Sequence, residues 1–233
     1  MTDSTDRLDH WLDTLGVRAG GDDKPRVGVS ACLLGRPVRY DGHHKRDDLV
    51  SRVLPRWLNM HELCPETAIG LPTPRPPIEV VQLAGEQRVR GVASPQDDYT
   101  AALRTYAQQY AQQMDSTLSG FILKARSPSC GLGNTPLTDT DHREIGLTDG
   151  AFAGQLRARL PLMPMLNESH LQTGTAIEGF VLQVFCFRMW QRWGTGEWLE
   201  RARQHAGEMP ESLGDPVLAH LRRLDEATCR PHI

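Results

Sequence analysis

Three of the five cysteines in this 233-residue sequence sit where a thiol could do chemistry. Cys32 lies in Ser30-Ala31-Cys32-Leu33-Leu34-Gly35, Cys64 precedes Pro65-Glu66, and Cys130 is followed by Gly131 in Ser127-Pro128-Ser129-Cys130-Gly131. No Cys-x-x-Cys pair links them, so only the fold can bring them together. Converged on one crevice, three thiolates would suit a soft metal centre, either zinc or an iron–sulfur cluster. Structural zinc sites usually take four protein ligands, with cysteines in local pairs. A 4Fe-4S cluster held by three cysteines leaves one iron open to a substrate. The alternative is packing, because free cysteine is commonly a small buried hydrophobe. Proline or glycine in the turn-like segment around each of the three, with polar residues near, separates them from Cys186 and Cys229. Cys186 lies inside an apolar helical run, and both are assigned to packing or chance.

The elements that would position these thiols alternate in type along the chain. Arg26–Ser30 reads as a short buried strand, and Met60–Cys64 leads into a second strand or loop. Gly120–Lys124 is a strand feeding directly into the Cys130 segment, and Leu162–Leu166 is another short strand. Residues 49–57 read as helical with a bend or an end at Pro55, and a further helix is expected over 150–159. Leu71-Pro72-Thr73-Pro74-Arg75-Pro76-Pro77 is too rich in proline for regular structure and reads as stiff, extended chain. Glu79–Leu83 and Gln87–Ala93 form a hairpin about Gly85. Ser94-Pro95-Gln96-Asp97 carries the signature of a helix start. The helix that follows would bury Tyr99, Ala102, Leu103, Tyr106, Tyr110 and Met114.

Strands alternating with helices define an α/β fold, a compact, mostly parallel sheet flanked by helices. In such sheets ligands collect outside the carboxyl ends of the strands, where all three cysteines fall. Leu8, Trp11, Leu12 and Leu15 make residues 5–16 a short helix, an add-on joined by the linker Gly20-Gly21-Asp22-Asp23-Lys24-Pro25. From about residue 173 the chain becomes helical, with one long helix over 175–193 and shorter ones near 196–206 and 215–227. Three regions are therefore expected: residues 1–23, an α/β domain over 24–172, and a helical extension over 173–233. Docking onto the core is the first use expected of the extension, a dimer interface the second and an RNA contact the third.

Hydrophobic residues make up 39% and charged residues 24%, enough apolar content for a sizeable core. Lys plus Arg number 26 against 29 Asp plus Glu, a formal charge of −3 that argues against a polybasic nucleic-acid or membrane binder. The polar, acidic N-terminal residues show no signal core. The apolar run from Phe180 to Trp193 is broken by Gln183, Arg188, Gln191 and Arg192, so no membrane span is expected. A cytoplasmic location with reduced cysteines follows as the expectation, and an odd cysteine count suits a disulfide framework poorly.

Five segments together resemble the thiouracil desulfidase family over about residues 26–171. They are Val27-Gly28-Val29-Ser30-Ala31-Cys32-Leu33-Leu34-Gly35, Val38-Arg39-Tyr40-Asp41-Gly42, Cys64-Pro65-Glu66, Gly70 through Glu79, and Gly120 through Gly131. The resemblance implies a 4Fe-4S cluster on Cys32, Cys64 and Cys130, with the remaining iron open to the sulfur of a thiolated pyrimidine. It further implies Glu66 and Ser127 as the catalytic acid–base pair, with Glu62 standing in should the register of Glu66 differ. The implied activity converts the C=S of 2-thiouracil, 4-thiouracil or a thiolated nucleoside to C=O and releases hydrosulfide. Two alternatives stand beside it: desulfuration of 4-thiouridine in tRNA, and a non-catalytic metal or sulfide carrier. Two departures bear on the choice. His43 stands where a second glycine is expected after Asp41-Gly42, and the tail is shorter than the second domain of the RNA-directed relatives.

The remaining polar residues carry paired readings. Arg75, Glu79 and Lys124 are candidates to bind the pyrimidine's amide edge or balance cluster charge; equally, an Arg–Glu ion pair would tie down the proline-rich loop. Asp41 is first a turn residue and second a substrate contact. His43 and His44 belong to a surface loop, since adjacent side chains seldom converge on one metal. Asn167 and Glu168 read as the cap of the next helix.

Overall fold

The computed structural model describes residues 2–16, 24–114 and 116–228, so most of the Gly20–Pro25 linker and Cys229 lie outside the described residues. Among the described residues, eight strands form two sheets. In chain order they are β1 (Arg26–Ser30), β2 (Asn59–Leu63), β3 (Ile78–Leu83), β4 (Glu86–Gly91), β5 (Leu118–Leu123), β6 (Thr135–Thr138), β7 (Glu144–Thr148) and β8 (Met165–Asn167). The first sheet has the order β2-β1-β5-β8 and is parallel throughout. The second has the order β4-β3-β6-β7, with β3 and β6 parallel and the outer pairs antiparallel.

Every residue of β5 is buried, as a central parallel strand covered on both faces requires. One face carries the helices α3 (Thr100–Met114) and α4 (Ala151–Arg159), meeting the sheet through Tyr110, Phe121, Phe152 and Leu156. The other face carries α5 (Gly174–Trp193), which buries Val181 and Val184 against Val27, Val29 and Ile122. Close approach within the sheet dictates Gly28: a β-carbon there would stand 2.3 Å from the Phe121 ring. The α/β expectation therefore holds, and its mostly parallel sheet is the first of two.

The ends of the chain are less separate than their composition suggests. Leu8 and Leu12 of α1 (Thr2–Thr14), with Leu15 just beyond its end, lie in the same apolar cluster as Val27 and Val29. Arg7 pairs with Glu178, a carboxylate of α5 that is only 1% exposed. The N-terminal helix thus packs against the core. The helices α6 (Glu197–Glu208) and α7 (Glu211–Thr228) extend that cluster through Trp198, Ala202, Leu213 and Val217.

Three local expectations need correction. Helix α3 begins at Thr100, whose N–H bonds to Asp98 Oδ1, while Ser94–Asp97 closes a tight turn instead. Its buried stripe runs through Leu103, Ala107, Tyr110 and Ala111, and Ala102 is exposed. Residues 49–56 form a wide π turn followed by a 3-10 turn containing Pro55, rather than one regular helix. The β6–β7 hairpin escaped sequence reading because its strands are only four and five residues long and its alternating Ile145 and Leu147 face solvent.

Candidate functional site

A cavity of about 450 Å³ opens at the carboxyl end of the parallel sheet, and Cys32, Cys64 and Cys130 all line it. Each thiol arrives from the end of a different strand. After β1 the chain makes a 3-10 turn over Ala31–Leu34, closed by Gly35 at φ 95°, which leaves Cys32 buried. After β2, Cys64 precedes a single helical turn, α2 (Pro65–Ala68), with proline at its first position, where no N–H is needed. After β5 the chain loops through Ser127 to Cys130 before entering the second sheet.

The Cys130 loop is built from several sides at once. Ser127 Oγ accepts the N–H groups of Ser129 (3.2 Å) and Cys130 (3.1 Å), and Ser127 O accepts from Gly131 (2.8 Å). The first N–H groups of α4 would be unpaired in an isolated helix. Here Ala151 donates to Pro128 O and Phe152 to Ser129 O, while the preceding Gly150 donates to Gly131 O at 2.7 Å. A β-carbon on Gly150 would lie 2.5 Å from the Ser129 carbonyl carbon, so this approach needs glycine. From β8, the fully buried Asn167 accepts from Leu132 N (3.0 Å) and donates to Leu132 O (2.7 Å). Asn167 is therefore a clamp on the Cys130 loop, not a side-chain cap.

The thiols feel one another. Burial pushes Cys130 well above the usual thiol range; the Ser30 hydroxyl opposes this, while Cys64, Glu66 and Cys32 add to it. Cys32 is pushed up to about 11, first by burial, with Arg39 pulling down and Cys64 pushing up. Cys186, by contrast, is raised to about 12 by burial alone. Metal-free, Cys32 and Cys130 are thus held as thiols, and cationic irons would supply the stabilisation that their thiolates lack. Three soft donors with mutual electrostatic contact fit a thiolate-held cluster by their chemistry. Among the described residues, no three His, Cys, Asp or Glu side chains converge as a single metal ion requires.

Glu66 lines the cavity and is gripped at both oxygens. Its Oε1 accepts from Ser129 Oγ at 3.0 Å, and its Oε2 accepts from Arg75 Nε (2.8 Å) and lies 2.6 Å from Nη2. Arg75 spends its other N–H groups on Val38 O, Pro72 O and Thr73 Oγ1. It therefore ties the proline-rich loop to Glu66 while also lining the cavity. Lys124 lines the cavity as well, held by Glu168, whose second oxygen accepts from Ala125 N at 2.6 Å. Glu168 is thus a partner of the cavity lysine and not only the start of the next turn.

Two expected residues are not brought here. Asp41 accepts the His43 N–H in a turn, and Glu79 bonds Thr138 and His142 on the second sheet; neither lines the cavity. Glu62 pairs with the exposed Arg36 and is likewise absent from the lining, which leaves Glu66 as the carboxylate in place. His43 and His44 sit in the exposed loop as expected. Sequence reading passed over Ser30 and Ser129, although each stands within two residues of a candidate ligand. Arg39 and Lys45 line the cavity as well.

Fold and site together define an α/β protein with a cysteine-lined cavity at the carboxyl edge of a parallel sheet. The chain belongs to the 2-thiouracil desulfurase family, whose model matches residues 27–168, more than half its length. Family membership supports an enzymatic role. The uncharacterised protein YbbK of Bacillus subtilis (strain 168) is 33% identical over 110 residues, covering 45% of this chain and 72% of YbbK. The solved structure of the 4Fe-4S-dependent thiouracil desulfidase TudS matches with a TM-score of 0.50 and 33% identity, covering 64% of this chain and 93% of TudS. Among the described residues, no helix is long and apolar enough to cross a membrane.

Proposed function

We propose that this protein is a desulfidase that replaces the thiocarbonyl sulfur of a small thiolated pyrimidine by oxygen, using a 4Fe-4S cluster held by Cys32, Cys64 and Cys130. The observation that carries this reading is the convergence of three thiols and a clamped carboxylate on one cavity. Bound there, the cluster supplies a soft Lewis acid for the sulfur of the substrate. The overall change is R₂C=S plus H₂O to R₂C=O plus H₂S, which leaves as hydrosulfide and a proton; no electrons are exchanged.

The protein's own groups do the rest. Val38, Leu63, Pro77 and Ile78 give the cavity apolar walls suited to a flat ring. Glu66 takes the proton from the attacking water. Ser129 and Arg75 hold its carboxylate oxygens without exhausting their lone pairs, so a water can still donate to it. Ser127 Oγ accepts two backbone N–H groups, which leaves its own proton to donate toward the substrate. Lys124, neutralised by Glu168, and Arg75, neutralised by Glu66, border the site as paired charges.

A small substrate is favoured over tRNA by the rim. Arg36 pairs with Glu62, Arg46 with Asp48 and Arg126 with Glu144, so few exposed cations there lack an acidic neighbour. Nucleic-acid binding draws on unneutralised basic surface. The test is turnover by anaerobically reconstituted protein with 2-thiouracil, 4-thiouracil, thiouridine and thiolated tRNA as competing substrates. Loss of thione absorbance with one hydrosulfide per turnover on a base or nucleoside supports the reading. Activity confined to tRNA, or a bound cluster with no activity on any of the four, contradicts it.

A further inference from the structure

Five cations line the cavity: Arg39, Lys45, Arg75, Lys124 and Arg126. The Arg75 guanidinium is taken up by Glu66, Val38 O and Pro72 O, while Lys45 and Arg126 are exposed. Arg39 leans on Asp41 with its Nε shut off from solvent. Of the five, Lys124 is fixed in place and still has donors to spare. Its N–H donates to Ser30 Oγ at 2.9 Å, and its ammonium is bound by Glu168. Glu168 is anchored in turn, since its second oxygen accepts from Ala125 N at 2.6 Å. An ammonium carries three N–H donors, and Glu168 is its one hydrogen-bond partner among the described residues, which leaves two.

Those donors are within reach of a ligand. Lys124, the first residue past β5, lines the cavity with its side chain 19% exposed. Its charge reaches the Cys32 thiol there, pulling it downward against the effect of burial. The Lys124–Glu168 pair carries no net charge. An anion would meet the carboxylate as well as the ammonium, whereas a neutral ring carbonyl accepts from the ammonium without that conflict. Thiouracils offer such an acceptor. In 2-thiouracil and 4-thiouracil alike, the thione carbon, a ring N–H and a carbonyl carbon follow one another along one edge. With the sulfur held in one place, turning the ring over brings the carbonyl of either isomer to the same point. In 2-thiocytosine an amino group, itself a donor, stands there instead.

We infer that Lys124 is the specificity-determining residue of this cavity and docks the ring carbonyl through its spare N–H groups. The site then takes thiolated pyrimidines that carry a keto oxygen beside the ring N–H, whichever of the two carbons bears the sulfur, and rejects aminopyrimidines. Glu168 acts through Lys124 as a positioning residue. The inference rests on the desulfidase reading for the sulfur-bearing ligand.

The experiment titrates the sulfur-free bases uracil and cytosine into anaerobic holoprotein of the wild type, Lys124→Met and Lys124→Gln, followed by calorimetry. Iron content and melting temperature are measured on each protein. Wild type should bind uracil about tenfold or more tighter than cytosine, the scale of one hydrogen bond from a charged donor. Lys124→Met should bring the two bases within about threefold by weakening uracil. Lys124→Gln should do so partly by gaining affinity for cytosine, because its amide can turn either oxygen or nitrogen to the ring. The glutamine also leaves Glu168 a donor, so it carries the test if Lys124→Met fails to fold. Comparable affinities in the wild type, or an undiminished preference for uracil in an iron-loaded Lys124 variant, overturns the inference. Turnover of 2-thiocytosine as fast as 2-thiouracil would sink it while leaving the desulfidase reading intact. A loaded wild type that prefers uracil yet leaves both thiouracils unchanged would sink that reading alone.

Discussion

Glu66 is held by two donors of different kinds, and substitution separates what each contributes. Glu66→Gln should retain full iron yet lose turnover by about a hundredfold or more, the usual scale for a removed general base. Steady-state rates on iron-matched protein check this, and a variant with wild-type rate would remove Glu66 from the mechanism. Arg75→Leu should act first on stability. Its side chain and that of Glu66 are 4% and 12% exposed, and removing one partner of so buried a pair costs about 3–5 kcal/mol. A fall in the denaturation midpoint of the apo-protein measures it. At this scale the sequence revealed the three cysteines, Glu66 and Ser127 as cavity residues, because turn-forming neighbours and family motifs mark them. It did not reveal that Ser30 steadies Cys130 or that Ser129 grips Glu66, since both contacts join residues distant along the chain. Asp41 stands in the turn that was its first reading, while the partners of Glu79, Thr138 and His142, lie about sixty residues on, in the second sheet and its hairpin turn.

Among the elements, α4 has the most direct connection to the site, since its first N–H groups hold the Cys130 loop. Gly150→Ala drives a β-carbon into the Ser129 backbone, which cannot swing aside as a flexible side chain can. We predict a loss of about 1–3 kcal/mol in apo stability together with reduced iron occupancy, read by chemical denaturation and iron analysis. Full iron in a destabilised variant would show that the loop tolerates displacement. The α5–α7 contact carries a different consequence. His220 of α7 is fully buried beside Phe187, and burial, reinforced by Arg223, depresses its pKa from 6.5 to about 3. A histidine held neutral in the fold but free to charge when unfolded stabilises above 6.5, and this is lost as pH falls from 6.5 toward about 3. His220→Leu should therefore flatten acid unfolding by about 1.4 kcal/mol for each pH unit across that window, measured against wild type. Parallel acid titrations of the two proteins would contradict it. Strand and helix positions were largely legible here because buried strands and amphipathic helices write their periods into sequence. The hairpin of β6 and β7 was not, because its strands are short and its alternating Ile145 and Leu147 point to solvent.

Across the whole molecule, the terminal helices and the sheet share one apolar core, so the cavity depends on parts of the chain that never touch it. Removing residues 1–16 strips Leu8, Leu12 and Leu15 from that core and leaves Glu178 buried without Arg7. Each buried leucine is worth roughly 1.5–3 kcal/mol, so the truncated protein should fail to fold stably rather than persist as an isolated desulfidase domain. Circular dichroism and soluble yield decide this. The sequence suggested a detachable helix because a glycine-rich linker follows it; which leucines face which core is a tertiary fact that local composition does not encode. The central claim, that three strand ends deliver thiols to one cluster, is tested most directly by iron and sulfide analysis after anaerobic reconstitution. Wild type and Cys186→Ala should each bind about four irons per chain, as a cubane cluster requires, while Cys32→Ala, Cys64→Ala and Cys130→Ala should each fail to retain the cluster. Full iron in all three variants, or none in the wild type, would contradict the account.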